Sequence, residues 1–268
     1  MKRPLVSEVR NRSARRVARA MAWLLVIGPS SGVLGCNSEA PSTPVEPTPP
    51  PAVAPPVIVS SSHVGFDPTI SGATPTGIVY VAAPPGSIPY GYSVTIRGGP
   101  RNVAVSVYLA DDGFDPVAFP AGPGDTLQID VETYVSDSSS FASYRILVPA
   151  TSRPVLLRTW PSAHARDVPL NTRPIVVFSE PVSIANSSDP AVQLIRSGIA
   201  VPGRVAFADT QHVSVAFAPE GLLVPSAGYT LAIGQDIRNR DGLTLAAGSA
   251  VDFTAGTSIL DRPPGGAN

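Results

Sequence analysis

The chain has 268 residues, including 31 prolines and 23 glycines, with 43% hydrophobic residues and a formal net charge of −1. This hydrophobic content excludes a chain that is disordered throughout, and the length suggests one or two domains. Seven of the 19 basic residues lie within residues 1–19, so from Cys36 onward 12 basic residues face 19 acidic ones. A segment with a net charge of −7 lacks the basic surface that nucleic acid requires, and we expect no nucleic-acid partner.

Residues 1–35 have the pattern of a bacterial export signal. A basic segment ending at Arg19 precedes an apolar run over residues 20–27, which is much shorter than the roughly 20 residues of a membrane-spanning helix. The segment ends in Val33-Leu34-Gly35-Cys36, which resembles the lipobox of bacterial lipoproteins and contains the chain's one cysteine. The resemblance implies that Cys36 becomes the N-terminus and carries a diacylglyceryl anchor. The alternative is an ordinary secretory signal that contains a cysteine.

Residues 36–57 are predicted to form a lipidated, disordered linker. Asn37 stands where an aspartate would resemble an inner-membrane retention signal, so we expect the outer membrane or the cell surface. Eight prolines within residues 37–57 exclude helix and central strand and favour extended polyproline II. At about 3.1 Å per residue, this segment reaches up to roughly 65 Å. We interpret it as a spacer, and the alternative is a ligand for a proline-recognition domain.

Residues 58–150 are predicted to form an antiparallel Ig-like β-sandwich. Alternating or continuous apolar residues indicate five short strands, over residues 78–81, 92–97, 102–109, 126–132 and 144–148. Turn-forming sequences such as Asp112-Gly113-Phe114 separate these strands, a pattern typical of sandwiches. Together with Pro85-Gly86-Ser87-Ile88-Pro89 and Pro123-Gly124-Asp125, these turns resemble a bacterial Ig-like repeat.

Residues 153–256 are predicted to form a second Ig-like β-sandwich, followed by a disordered tail over residues 257–268. Seven short strand-like segments occur there, the number typical of an Ig-like fold. They cover residues 155–158, 175–178, 192–195, 203–207, 212–217, 229–233 and 251–254.

The second segment also resembles an SbsA-like bacterial Ig-like domain, the type found in S-layer proteins. Trp160-Pro161 and the strand ending at Phe178 match its opening, and Leu223-Val224-Pro225 followed by Tyr229 matches its L-x-P-x-x-x-Y corner. The resemblance implies that Trp160, Phe178, Pro225 and Tyr229 are structural residues, with Tyr229 bonded to upstream backbone. It also implies a spacer, adhesive unit or accessory module without a catalytic centre. Residues 236–242 depart from the D-x-x-G-N loop of that family.

The sequence shows no pattern that is specific for catalysis or metal binding. His63 falls in an irregular lead-in, His164 in a turn and His212 on the outer face of a strand, and none has metal-ligand spacing. We therefore expect no enzyme, no cofactor and no metal site. The acidic loops at residues 111–115 and 236–242 leave calcium as an alternative, although Asp, Asn and Gly also serve tight turns without metal.

These features together favour a non-catalytic, membrane-anchored lipoprotein that presents Ig-like modules for protein contact, adhesion or cell-envelope architecture. Its expected partners are the membrane, through Cys36, and an unknown envelope protein or polysaccharide. The alternative is a polysaccharide-binding or enzyme-accessory protein. Tyr90, Tyr92 and Tyr108 would then form a small aromatic patch, but an aromatic content of 6% does not predict a flat stacking face. A hydrolase would need a nucleophile–base pair, which the sequence does not reveal.

Overall fold

The computed structural model describes residues 55–63, 77–99, 102–135, 138–184 and 191–261. The predictions on the signal segment, on Cys36 and on most of the linker lie outside these residues. Residues 52–268 group into one compact unit. Every regular element in the described ranges is a β-strand. Among the same residues, we find no helical segment with the length and hydrophobicity that a bilayer crossing needs.

The first sandwich contains two antiparallel sheets, with strand orders β1-β2-β5 and β4-β3-β6-β7. Alternate residues of these strands, among them Val79, Ile96, Phe119 and Ile129, point into a shared core and are fully buried. The strands are β1 (Ile58–Val59), β2 (Ile78–Ala83), β3 (Gly91–Gly98), β4 (Val103–Tyr108), β5 (Phe114–Pro120), β6 (Thr126–Val135) and β7 (Ser138–Leu147).

The second sandwich has sheets of order β12-β11-β15-β17 and β13-β14-β9-β8, with β10 and β16 as a separate pair. Its core includes Val176, Phe178, Leu194, Leu231 and Phe253. The strands are β8 (Leu156–Trp160), β9 (Ile175–Phe178), β10 (Val182–Ser183), β11 (Val192–Arg196), β12 (Ile199–Ala200), β13 (Gly203–Phe207), β14 (Ser214–Pro219), β15 (Gly228–Ile233), β16 (Arg238–Asn239) and β17 (Ser249–Thr254).

The predicted all-β fold of antiparallel Ig-like sandwiches is confirmed, although the first one has the additional strands β1 and β5 and a longer β7. Strand β5 was not expected, because Pro116 and Pro120 argue against a central strand. It is an edge strand, and Pro116 lies where the register with β2 shifts, so the missing amide donor costs no ladder bond there. Strand β7 begins at Ser138 rather than near Tyr144, because it pairs with β6 along its whole length.

Candidate functional site: the module junction and the outer aromatic surface

Strand β2 is buried on both faces and joins the two sandwiches. All six of its residues are buried. Val79 and Val81 point into the first core, whereas Ile78 and Tyr80 form a separate apolar cluster with Val213, which directly precedes β14 of the second sandwich. The continuous apolar run of β2 is what a strand with both faces buried requires. The sandwiches are therefore in direct contact, and β2 belongs to two apolar clusters at once.

A buried polar network adjoins this apolar contact. Glu180, two residues after β9, is fully buried. Ser152 Oγ donates a hydrogen bond to Glu180 Oε1 at 2.9 Å, and His63 Nε2 lies 3.2 Å from Glu180 Oε2. Burying a carboxyl group without partners costs several kcal/mol, and each lost hydrogen bond costs about 1–3 kcal/mol. Any movement that breaks these contacts is therefore unfavourable, so they hold the surrounding segments in one arrangement.

Asn239 closes the network from the loop that departs from the family pattern. Its Nδ2 donates to Ser152 O at 2.8 Å, and its Oδ1 accepts from the amide of Leu243 at 2.9 Å. The Ser61 amide donates to Ser152 Oγ at 2.7 Å. Polar groups from the segment before β2, from the segment between the two sandwiches and from the second sandwich thus form hydrogen bonds with one another, as buried polar groups generally do. We call this set, Ser61, His63, Ser152, Glu180 and Asn239, the junction network.

The expectation for His63 was wrong in one respect. The lead-in is not irregular at this position, because the amide and carbonyl groups of His63 pair with those of Ile78, both at 2.8 Å. This pairing extends the edge of β2 and buries the imidazole, which is 5% exposed. The sequence signal was weak, because the segment around His63 lacks an alternating apolar pattern. The His63–Glu180 pair is thus a buried contact between the segment before β2 and the second sandwich.

Two arginines lie near the outer part of the junction. Burial lowers the pKa of Arg240, while the nearby Tyr80 raises it. Arg158 of β8 forms an ion pair with Asp115 of β5, and both side chains are well exposed. An exposed ion pair contributes only about 0–1 kcal/mol. The Arg158–Asp115 pair therefore orients the rim of the contact, whereas the buried residues hold it together.

The four residues predicted to be structural occupy different environments. Tyr229 is the second residue of β15. Its hydroxyl accepts a hydrogen bond from the Val224 amide at 2.7 Å, and its ring stacks on Phe253. Phe178 is fully buried in the second core. Pro225 is exposed in the turn that leads to β15. Trp160 ends β8 with 45% of its surface exposed, so it is available for contact.

Replacing Tyr229 with phenylalanine is expected to lower the free energy of unfolding by about 1–2 kcal/mol, because the Val224 amide loses its acceptor while the ring packing is kept. Chemical denaturation measures the loss. Tyr92→Phe is the matched control, since that ring is 53% exposed and should lose less than about 0.5 kcal/mol. Equal effects in the two variants would contradict the role of the hydroxyl.

The acidic loop at residues 111–115 contains a tight turn. Asp111 and Asp112 have φ angles of 54° and 56° and form a two-residue turn closed by backbone bonds between Ala110 and Gly113. A Cβ atom at Gly113 would lie 2.5 Å from Pro84 O, which requires glycine there. Among the described residues, no three His, Cys, Asp or Glu side chains are grouped so as to hold a metal.

The two other histidines, His164 and His212, lie in different turns of the second sandwich. His164 is exposed in the turn after β8, as predicted from the sequence. His212 is not on a strand, because β14 begins at Ser214, and the prediction for it was wrong. Its φ of 62° places it in a bend, where the ring stacks on Phe207 with centroids 3.9 Å apart. Packing on Phe207 explains the position better than strand alternation does.

The outer face of sheet β4-β3-β6-β7 carries a hydrogen-bonded polar ladder. Hydrogen bonds from Gln128 and Ser143, and the charge of Arg97, lower the pKa of Asp130. Arg97 Nη1 lies 2.6 Å from Asp130 Oδ2. Ser93 Oγ donates to Glu132 Oε2 at 2.9 Å. The charges on this face are thus largely paired with one another.

Exposed aromatic rings border this ladder at one end. Besides Tyr90, Tyr92 and Tyr108, which the sequence singled out, Tyr134 and Phe141 are also exposed, all between 53% and 73%. The rings of Tyr92 and Tyr108 meet edge to face with centroids 5.5 Å apart. We call these five residues the aromatic patch. Sequence reasoning missed Phe141 because the strand that carries it was predicted to begin later.

Comparison with known protein families gives a match to the second sandwich. Residues 150–255 match the family model described as a bacterial Ig-like domain. The second sandwich is therefore similar to bacterial Ig-like domains. No curated protein matches the chain.

Several solved structures are similar at low identity. The BSP domain of a biofilm-associated protein is 16% identical with a TM-score of 0.28, and the match covers 70% of this chain and 28% of that one. A chimeric titin Z1Z2 carrying a decorin peptide is 11% identical with a TM-score of 0.24, covering 68% and 86%. The mouse nectin-like molecule 4 ectodomain is 13% identical with a TM-score of 0.19, covering 79% and 68%.

Proposed function

We propose that this protein is a non-catalytic lipoprotein, anchored through Cys36 at the outer membrane or cell surface. It presents two joined Ig-like modules for protein contact, adhesion or envelope architecture. The observation that carries the proposal is the junction, where β2 is buried on both faces beside the junction network. Modules joined by a buried contact act as one body, whereas modules on an open linker move independently by default.

The proposed anchor and linker position the two joined modules relative to the membrane. A diacylglyceryl group supplies the two chains that stable membrane binding takes, at roughly 0.8 kcal/mol for each buried methylene. The proline-rich segment then holds the body up to roughly 65 Å from the membrane. A stiff body on a stiff spacer presents its outer surfaces at a defined height, which suits contact and adhesion.

The anchor is tested by Cys36→Ala. We expect the variant to lose metabolic labelling with palmitate and to move from the membrane fraction to the soluble fraction, because the acyl acceptor is removed. Ser38→Ala, two residues further on, is the matched control and should keep both properties. Unchanged labelling and membrane fractionation in Cys36→Ala would refute the lipoprotein proposal. Cell attachment and detergent sensitivity, compared between the same strains, test the role in adhesion and in envelope architecture.

Polysaccharide binding is the second candidate function. The aromatic patch favours it, because five exposed rings on one module exceed what the aromatic content predicted. Exposed apolar side chains that are grouped at one end of a sheet commonly mark a binding site.

A further inference from the structure

We propose that a neutral polysaccharide built from gluco-configured pyranoses binds along a surface that runs from the aromatic patch to Trp160. The surface spans both modules and passes over the grooves between them. This inference rests on the second candidate function and is independent of the lipid anchor.

The strand register places the aromatic patch at one end of the sheet. Tyr108 of β4 pairs with Ser93 of β3, which pairs with Glu132 of β6, which in turn pairs with Phe141 of β7. These four residues therefore form one row across the sheet, with an aromatic ring on each edge strand. The other rings lie beside this row, since the Tyr134 amide donates to Tyr90 O at 2.9 Å and Tyr92 precedes Ser93.

The distribution of tyrosine supports a selected surface. Four of the seven tyrosines in the chain belong to the patch. The other three are covered by the protein: Tyr80 lies at the junction, Tyr144 packs against the first core and Tyr229 lies in the second core. No tyrosine outside the patch is exposed in the described part of the chain. Rings that are not needed for packing are thus concentrated at one place.

Two adjoining grooves connect the patch to Trp160. Tyr108 lines a groove of about 300 Å³ together with Pro85, Asp115 and Arg158. Pro85 and Arg158 also line a second groove of about 400 Å³ that ends at Trp160. The shared residues make the grooves continuous, so aromatic rings from both modules border one depression. A ligand that contacts both ends must be several sugar units long.

The chemistry of this surface fits a neutral sugar chain. In gluco-configured pyranoses the ring hydroxyls are equatorial, so both ring faces carry C–H groups that stack on aromatic side chains. The hydroxyls need nearby acceptors and donors. Asp111 lines the second groove and its carboxylate has no hydrogen bond or ion pair with any described residue, while Arg158 and Asp115 stand between the two grooves. Such a mixture of apolar walls and a few polar groups is typical of ligand sites.

Charge and spacing argue against other ligand classes. Two basic groups near the surface are already paired, Arg158 with Asp115 and Arg97 with Asp130, so an ionic ligand gains little from them. Within the row across the sheet, the polar residues Ser93 and Glu132 lie between Tyr108 and Phe141. A protein interface concentrates its apolar residues in a central core surrounded by a polar rim. Polar residues in the middle of the row differ from the apolar core of such an interface.

Trp160 provides a direct reporter for this site. The chain has two tryptophans, so Trp23→Phe in the full chain leaves Trp160 as the sole tryptophan. We expect cellohexaose or chitohexaose to change its fluorescence, and the matching disaccharides to bind at least about tenfold more weakly because they reach only one end. Tyr108→Ala should weaken hexasaccharide binding about tenfold, and Ile199→Ala, exposed on the other module away from the grooves, should leave it unchanged.

Calorimetry with Trp160→Ala completes the test, and thermal denaturation verifies that each variant is folded. Loss of hexasaccharide binding in Trp160→Ala and its weakening in Tyr108→Ala support the proposal. Absence of binding to both hexasaccharides by the folded protein overturns it, as does binding that survives both substitutions. Retention of a protein partner that depends on the same rings, without sugar binding, overturns it in favour of a protein contact. Palmitate labelling tests the lipid anchor and does not depend on sugar binding. A failure of the sugar-binding proposal can therefore be distinguished from a failure of the anchor proposal.

Discussion

Replacing His63 with alanine is expected to lower the free energy of unfolding by about 3 kcal/mol. The substitution leaves the carboxyl group of Glu180, which is fully buried, with one partner fewer. It also removes a side chain that fills the contact between the two sandwiches. Urea denaturation followed by circular dichroism measures the loss. Because the junction couples the modules, we expect one transition in the parent protein and two separated transitions in the variant.

The coupling between His63 and Glu180 is tested by a double-mutant cycle. With Glu180→Gln in place, the loss from His63→Ala should shrink by about 1–2 kcal/mol, because an uncharged amide that lacks one partner costs less to bury than an ionisable carboxyl group does. His164→Asn is the matched control, since His164 is exposed and asparagine tolerates its positive φ of 61°. That control should change stability by less than about 0.5 kcal/mol. Additive effects of the two junction substitutions would argue against a shared network.

Replacing Phe178 with alanine is expected to lower the free energy of unfolding by about 3–5 kcal/mol, because it opens a cavity in a fully buried site. The Phe178 amide also donates to Val213 O at 2.8 Å, so the cavity adjoins the segment that contacts β2. Chemical denaturation of the full chain gives the measurement. Because the junction is intact in this variant, the single transition should shift to a lower denaturant concentration.

Phe141→Ala is the matched control for Phe178→Ala. The residue type is the same, but Phe141 is 72% exposed, and its removal should cost less than about 0.5 kcal/mol. A comparable loss from both substitutions would show that Phe178 does not lie in a packed core. The control has a second use, since Phe141 belongs to the aromatic patch and its loss should affect sugar binding without affecting stability.

The junction also explains how a binding surface can extend over two modules. A groove lined by residues of both sandwiches keeps its shape only if the sandwiches do not move independently. Ile78, Tyr80 and Val213 supply the apolar part of that contact, and Glu180 with its partners supplies the directional part. Disruption of the junction by His63→Ala should therefore weaken hexasaccharide binding as well as stability. Both the free energy of unfolding and hexasaccharide binding are thus expected to depend on the junction.

The sequence alone determined the fold class, because the pattern that defines a half-buried strand is local. Leu127, Ile129 and Val131 alternate with polar residues in the sequence, and they alternate between core and surface in β6. The turn chemistry was equally local: Asp111 and Asp112 adopt positive φ, and Gly113 lies where no Cβ atom fits. Strand β5 escaped prediction because Pro116 is tolerated only at an edge strand, and edge position is not visible in a local window.

Only the tertiary structure decided the junction and the proposed binding surface. His63 and Glu180 are separated by 117 residues, and the second face of β2 is covered by a residue from the other sandwich. Neither contact leaves a periodic pattern in the sequence, because a contact between distant segments depends on where the whole chain brings them. The same holds for the rings of Tyr108 and Trp160, which lie on different modules and border one depression only because the buried junction holds those modules together.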